Sequence, residues 1–149
     1  MVSKRRQREY IGYRVYNTQR ALHKSLEACV AAAGLTPGQW NLLSQLEEHG
    51  AMTQKQLAER LRKEQATVTR SIERLVQRGL VVRTPNPQDR RANIVEATPE
   101  VSRLLSELEP AVARRNSELA EHISDEDLSV FFDVLDQIDA NAARSLEEQ

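Results

Sequence analysis

Arginine side chains occur at two places in the chain where their spacing suits the binding of a polyanion. Arg70 and Arg74 lie four residues apart, which makes them neighbours on one face of a helix. Arg90 and Arg91 follow the proline-rich start of residues 83–100, RTPNPQDRRANIVEATPE. A guanidinium group presents five N–H donors in a planar fork that matches phosphate oxygens and the guanine edge. A domain does not need two arginines at a hairpin tip for stability, so the pattern predicts an external partner.

The distribution of charge indicates the nature of that partner. Residues 54–91 hold ten Lys or Arg and four Asp or Glu, a net charge of +6. Residues 98–149 hold four Arg and thirteen Asp or Glu, a net charge of −9, although the whole chain carries only −1. A basic block beside an acidic one favours a polyanionic ligand for the basic block.

The remaining reactive residue types form no catalytic pattern. His23, His49 and His122 lie on different predicted helices, and the glycines are scattered singly, without a phosphate-binding loop. We therefore expect no enzyme activity and no cofactor. His122 lies near Glu118 and Glu121, but three histidines without repeated spacing do not make a zinc site. No bound metal is expected.

Length and composition predict one cytoplasmic domain. The 149 residues are enough for a single core, and no apolar run approaches the roughly 20 residues of a membrane span. The basic start, MVSKRRQREY, lacks the apolar region of a signal peptide. The single cysteine, Cys29, excludes an intrachain disulfide and fits a reducing compartment.

Apolar periodicity and capping residues predict a mainly helical chain with one β-hairpin. Thr53 and Gln56 form a capping box, and Gly79 ends the helix that precedes the hairpin. Two helices a short turn apart, followed by a hairpin, make a winged helix-turn-helix. In chain order we predict a helix over residues 6–33, a helix from Thr36-Pro37 to His49, a short strand, a helix from Thr53 to Leu61, a helix over about 65–78, the hairpin, a helix from Thr98 to about His122 kinked by Pro110, and a helix capped by Ser124.

The helix over about 65–78 has the pattern of a recognition helix. Its apolar residues, such as Val68, Ile72 and Leu75, fall on one side. The opposite side presents small and basic residues to the major groove, where arginine pairs with guanine. The predicted DNA-binding residues are Lys63, Gln65, Ala66, Thr67, Arg70, Arg74, Arg90 and Arg91.

The stretch TQKQLAERLRKEQATVTRSIERLVQRGLVVRTPNPQDRRANIVEATPE resembles the DNA-binding core of the MarR (multiple antibiotic resistance regulator) family. The wing, DRRANIVEAT, is its most specific part, although Ala97 stands where the family often has leucine. The resemblance implies a mainly α fold: a dimerisation helix over 1–34, a winged helix-turn-helix lobe with a small β-wing over 35–97, and long dimerisation helices over 98–149. It also implies a homodimer that represses transcription from a pseudo-palindromic operator.

The resemblance assigns further roles to individual residues. The wing arginine at Arg91 enters the minor groove, and Asp89 helps to fix the wing. Because members of the family bind phenolic or carboxylate ligands, we expect a small effector near Tyr13, His23 and Trp40. Two alternatives stay open: a redox-sensing regulator acting through Cys29, and a helical protein-interaction module that does not bind DNA.

Overall fold

The computed structural model describes residues 4–149, apart from the side chains at positions 5 and 7. The elements are α1 (Lys4–Glu9), α2 (Ile11–Val30), a 3₁₀ turn (Ala31–Ala33), α3 (Pro37–His49), β1 (Met52–Thr53), α4 (Gln54–Leu61), α5 (Gln65–Gln77), β2 (Val81–Asn86), β3 (Asp89–Ala97), α6 (Pro99–Leu119) and α7 (Asp125–Glu147). This mainly helical fold with a small antiparallel sheet confirms the predicted fold class.

Side-chain caps fix several of the helix starts. Thr36 accepts a hydrogen bond from the backbone N–H of Gln39, and the Gln39 side chain accepts one from the backbone N–H of Thr36. Thr53 and Gln56 form the same reciprocal pair, a capping box, at the start of α4. Ser124 caps α7 by accepting from the N–H of Asp127 at 3.1 Å. These side chains satisfy N–H groups that have no partner inside the helix.

Two expected helices differ from the prediction. The helix expected over residues 6–33 is interrupted at Tyr10, which has φ −109° and ψ 11°, and it tightens into the 3₁₀ turn at its end. The helix expected to reach His122 ends at Leu119, and Pro110 lies inside it. His122 lies in the turn beyond it with a φ of 64°, a backbone conformation that residues other than glycine rarely adopt.

The sheet has the strand order β1-β3-β2, with both pairs antiparallel. Met52 of β1 pairs with Val95 of β3. Strand β2 pairs with β3 from Val81, opposite Ala97, to Asn86, opposite Asp89. The register shifts between Pro85 and Asn86, next to the hairpin tip. Because β1 directly precedes α4, this sheet attaches the hairpin to the helix-turn-helix.

The chain divides into two compact units, one ending at Ala113 and the other running from Arg114 to Gln149. The first unit holds the apolar core, to which α2, α3, α4, α5, the sheet and the first part of α6 contribute. Its fully buried side chains include Val30, Leu42, Leu43, Leu57, Val68, Ile72, Leu75, Val95 and Val101. The core therefore fixes α5 relative to the hairpin within one unit.

Candidate nucleic-acid interface

Helix α5 has one buried face and one exposed polar face. Val68, Ile72 and Leu75 are at most 1% exposed, and they anchor the helix in the core. Arg70 and Arg74 are exposed, and the guanidinium of Arg70 lies 3.5 Å from the hydroxyl of Thr67. We give the name recognition face to five residues of α5, all of them exposed except the half-buried Thr67: Gln65, Ala66, Thr67, Arg70 and Arg74.

The turn between α4 and α5 holds Lys63 beside the start of α3. Arg62 ends α4 in the left-handed region at φ 52°, and the N–H of Lys63 donates to the carbonyl of Ala58 at 3.1 Å. The Lys63 ammonium passes so close to Gly38 that a Cβ there would lie 3.1 Å from Nζ. Gly38 therefore leaves room for Lys63 to lie against the N-terminus of α3.

The wing is the β2–β3 hairpin, and its tip is shaped by two side chains. The carboxylate of Asp89 accepts a hydrogen bond from the N–H of Arg91 at 3.0 Å. Asn86 accepts one from the N–H of Gln88 at the same distance. Such bonds mimic backbone turns and hold the loop. Arg90 and Arg91 are both exposed. The tip therefore presents two positively charged side chains from a backbone that these two hydrogen bonds hold in place.

A polar cluster absent from the sequence prediction connects the wing to α5. The Gln54 amide donates to the hydroxyl of Thr69 at 3.0 Å and accepts from the Asn93 amide at 3.5 Å. The Thr69 hydroxyl in turn donates to the carbonyl of Gln65. These residues are 15 and 39 positions apart, so no local sequence pattern could have revealed the cluster.

The three residues predicted to line an effector pocket lie on two helices, Tyr13 and His23 on α2 and Trp40 on α3. Tyr13 is 66% exposed on α2, where it packs edge-on against Tyr10, and His23 is exposed on the same helix. Trp40 is only 8% exposed, but its indole borders an open groove between α3 and α6. The groove, of about 360 Å³, is lined by residues that include Trp40, Leu105, Ser44, Glu47, Glu48 and Glu109.

Cys29 lies half-buried against the core, and its thiol donates a weak hydrogen bond to the carbonyl of Ala111 at 3.7 Å. Within the described residues, no three His, Cys, Asp or Glu side chains are grouped so that they could hold a metal ion. Across the same part of the chain, no helix is both long and apolar enough to span a membrane.

A helix-turn-helix followed by a wing, with a basic face on its second helix, defines a winged-helix DNA-binding regulator. The sequence profile of the MarR family matches residues 35–92. A Bacillus subtilis (strain 168) relative, described as the uncharacterized HTH-type transcriptional regulator YwoH, is 31% identical over 119 residues, covering 80% of this chain and 86% of that protein. The chain belongs to the MarR family.

Solved structures agree with this assignment. The PcaV transcriptional regulator from Streptomyces coelicolor, in complex with its natural ligand, has a TM-score of 0.81 and 26% identity, covering 90% of this chain and 94% of that one. The transcriptional repressor CouR, bound to a 23-mer DNA duplex, has a TM-score of 0.79 and 27% identity, covering 93% and 98%.

Five curated relatives are matched over 54% to 86% of their own lengths. They are regulators, and the family is one of transcriptional regulators. The chain is therefore a DNA-binding transcriptional regulator and not an enzyme, as the sequence predicted.

Proposed function

We propose that the protein is a homodimeric repressor that binds a pseudo-palindromic operator. The observation that carries the proposal is the pairing, on one unit, of the recognition face with a wing tipped by Arg90 and Arg91. In this arrangement α5 enters the major groove and the wing lies over the flanking minor groove. Two lobes of a symmetric dimer then contact half-sites about one helical turn apart, roughly 34–36 Å.

The predicted contacts divide by chemistry. Arg70, Arg74 and Thr67 lie on the part of α5 that approaches base edges, together with Gln65 and Ala66 at its start. Lys63, in the turn before α5, is placed for a phosphate. Arg91 inserts into the minor groove, where a narrow A·T-rich segment concentrates negative potential. Arg90 contacts the adjacent backbone.

Dimerisation is supported by apolar side chains that the single chain leaves exposed. Phe131, Phe132, Val130 and Val134 on α7 are each at least half exposed. On α2, Tyr13 and Tyr16 are 66% and 59% exposed. Exposed apolar side chains grouped on a helix in this way are typical of a protein–protein interface.

Selection from a random duplex library, followed by sequencing and a reporter assay, tests the proposal. We expect an enriched inverted repeat, two chains per duplex, and lower transcription when the repeat overlaps a promoter. A protein that enriches no sequence would instead support the protein-interaction alternative. Enrichment of a single half-site by a monomer would refute the dimer, and raised transcription would refute the repressor role.

An effector in the Trp40 groove is the second part of the proposal, and the ligand-bound structure of the similar regulator PcaV supports the existence of an effector. The carboxylates of Glu47, Glu48 and Glu109 repel an anion but accept a hydrogen bond from a hydroxyl. Of the two effector classes considered, the groove therefore favours phenols over carboxylates. Trp40 is the only tryptophan, so its fluorescence reports binding directly. Phenol should change the emission at lower concentration than benzoate; the opposite order would refute this preference.

A further inference from the structure

Arg78 joins the end of the recognition helix to the 3₁₀ turn that follows helix α2. It is the C-terminal cap of α5, and its side chain reaches residues more than forty positions earlier in the chain. Nη1 donates to the carbonyl of Gly34 at 2.9 Å, and Nη2 donates to the carbonyl of Ala33 at 2.8 Å. One guanidinium group thus binds two successive backbone carbonyls.

The chemistry of this contact explains its strength. The last carbonyls of a helix lack N–H partners and carry the negative end of the helix dipole. A cation that donates to both satisfies them with charge-assisted hydrogen bonds. Gly34, at φ 68°, turns the chain so that the guanidinium packs at ordinary contact distance, 3.7 Å from where a Cβ would lie. Lysine has no planar fork and could not bind both carbonyls in this way.

The next residue, Gly79, is tied to the helix that follows the wing. The hydroxyl of Thr98 donates to the carbonyl of Gly79 at 2.8 Å, and the N–H of Thr98 donates to the carbonyl of Leu80 at 3.0 Å. Helix α6 begins at Pro99, directly after Thr98. The C-terminal end of α5 is therefore attached to α2 on one side and to the start of α6 on the other.

We propose that Arg78 is a positioning residue, which sets the direction of the recognition helix from the end of α2. The proposal rests on the proposed function, in which α2 and α6 belong to the dimerisation region. A shift of α2 then moves α5 through two short hydrogen bonds. The predicted consequence is that Arg78 determines how strictly the dimer discriminates between operators with different half-site spacing.

A direct phosphate contact is the competing role for an exposed arginine. Removing a phosphate contact lowers the slope of log K against log salt by about one and weakens binding to every duplex. Losing a positioning contact leaves the slope unchanged and reduces discrimination between spacings. The two roles therefore differ in measurable quantities.

The test uses the duplex that the full-length wild-type protein selects, and the same duplex with its half-sites one base pair further apart. The variant R78Q removes both the charge and the planar guanidinium group, and R78K keeps the charge alone. T98V removes the hydroxyl bond from Thr98 to Gly79. R103Q is the matched control, because Arg103 is an exposed arginine of α6 whose ion pair is with Glu107, four residues away. Kd is measured for both duplexes across a salt series, with unfolding curves for each variant.

Discrimination is the Kd for the duplex with the wider spacing divided by the Kd for the selected duplex. We expect R78Q to reduce this ratio by roughly tenfold, the effect of losing one hydrogen bond to a charged group. R78K should restore part of the ratio, T98V should reduce it, and R103Q should leave it unchanged. Carbonyl ¹³C shifts of Ala33 and Gly34 should move in R78Q without DNA. An unchanged ratio in both R78Q and R78K, or a reduced salt slope, would overturn the proposal. Failure of the wild type to select any duplex would refute the proposed function instead.

Discussion

At the scale of single residues, the partner of an arginine decides its task. Arg70 and Arg74 project from the exposed face of α5, whereas Arg78, one turn later, donates to two backbone carbonyls. Composition gives all three the same positive charge. Only the tertiary contact separates an arginine available to an operator from one that holds the protein together.

Arg70 and Lys63 should therefore respond differently to substitution. Arg70→Ala should cost about 1–3 kcal/mol at one base pair and relax specificity there, because it removes a base-edge contact. Lys63→Ala should weaken binding to all sequences and lower the salt slope by about one, because it removes a phosphate contact. Kd values for single-base-pair operator variants at several salt concentrations measure both effects.

R103Q serves as the control for loss of one positive charge. If Arg70→Ala weakened all operator variants equally, Arg70 would be assigned to a phosphate. If Lys63→Ala left the salt slope unchanged, Lys63 would not contact a phosphate, and its packing against Gly38 would be its only role.

Arg91 should act through the minor groove. Arg91→Ala should lower affinity for operators with A·T-rich flanks more than for those with G·C-rich flanks, since only the narrow groove attracts arginine strongly. Asp89→Ala should reproduce part of the loss, because it removes the hydrogen bond that shapes the tip. Titrations of wild type and both variants against duplexes that differ only in their flanks provide the measurement.

Folding should be unaffected, because the Arg91 side chain is exposed and outside the core. Equal losses on both flanks would assign Arg91 to the backbone, and no loss would show that the wing tip does not contact DNA.

At the scale of elements, the sequence predicts local structure well. Thr53 and Ser124 cap helices where expected, the helix-turn-helix and hairpin follow in the expected order, and the basic face of α5 is exposed. Each of these features depends on residues a few positions apart, which periodicity and capping chemistry describe.

Contacts between distant segments could not be predicted in this way. Gln54, Thr69 and Asn93 are ordinary polar residues, and nothing local indicates that they meet. The effector pocket predicted around Tyr13, His23 and Trp40 stays a prediction, since a helix stripe does not specify which surface it faces. Amphipathic periodicity also continues across Tyr10, where the backbone turns.

The Gln54 cluster should couple the wing to α5. Gln54→Ala removes hydrogen bonds to both elements, so the wing loses its fixed direction. The loss of affinity caused by Arg91→Ala should then be smaller in the Gln54→Ala background, with a coupling energy of about 0.5–3 kcal/mol. A double-mutant cycle in Kd measures the coupling, and the pair Arg91→Ala and Arg103→Ala provides the control. Additive losses in the first cycle would show that the cluster does not align the wing.

At the scale of the whole molecule, the distribution of apolar surface favours assembly. Within α7, every residue of which the structure describes, no side chain is buried. Leu128, Leu135 and Ile138 are half-buried, and Phe131 and Phe132 flank this stripe with ring centroids 5.7 Å apart. An amphipathic helix of this length gains little stability unless its apolar face is covered.

Charging the two rings beside that stripe should dissociate the dimer and abolish two-lobe binding of the full operator. The double substitution F131E/F132E places carboxylates where two copies of α7 would bury rings that are 51% and 56% exposed in one chain. Burial of a phenylalanine stabilises by about 1.5–3 kcal/mol when complete, so four half-exposed rings contribute about 4 kcal/mol. The dimer dissociation constant should rise on the order of a thousandfold.

Sedimentation equilibrium and operator titration together decide the matter. The double substitution S129E/A140E, at exposed positions on the other side of α7, adds the same two charges and should leave both assembly and affinity unchanged. Removal of residues 124–149 should have the same effect as F131E/F132E, because it deletes the whole stripe. Each monomer keeps the core that positions α5 and the wing, so single half-sites should still be bound, at the affinity of one lobe. A truncated protein that stayed dimeric and bound the full operator normally would place the interface elsewhere, with α2 as the remaining exposed apolar helix.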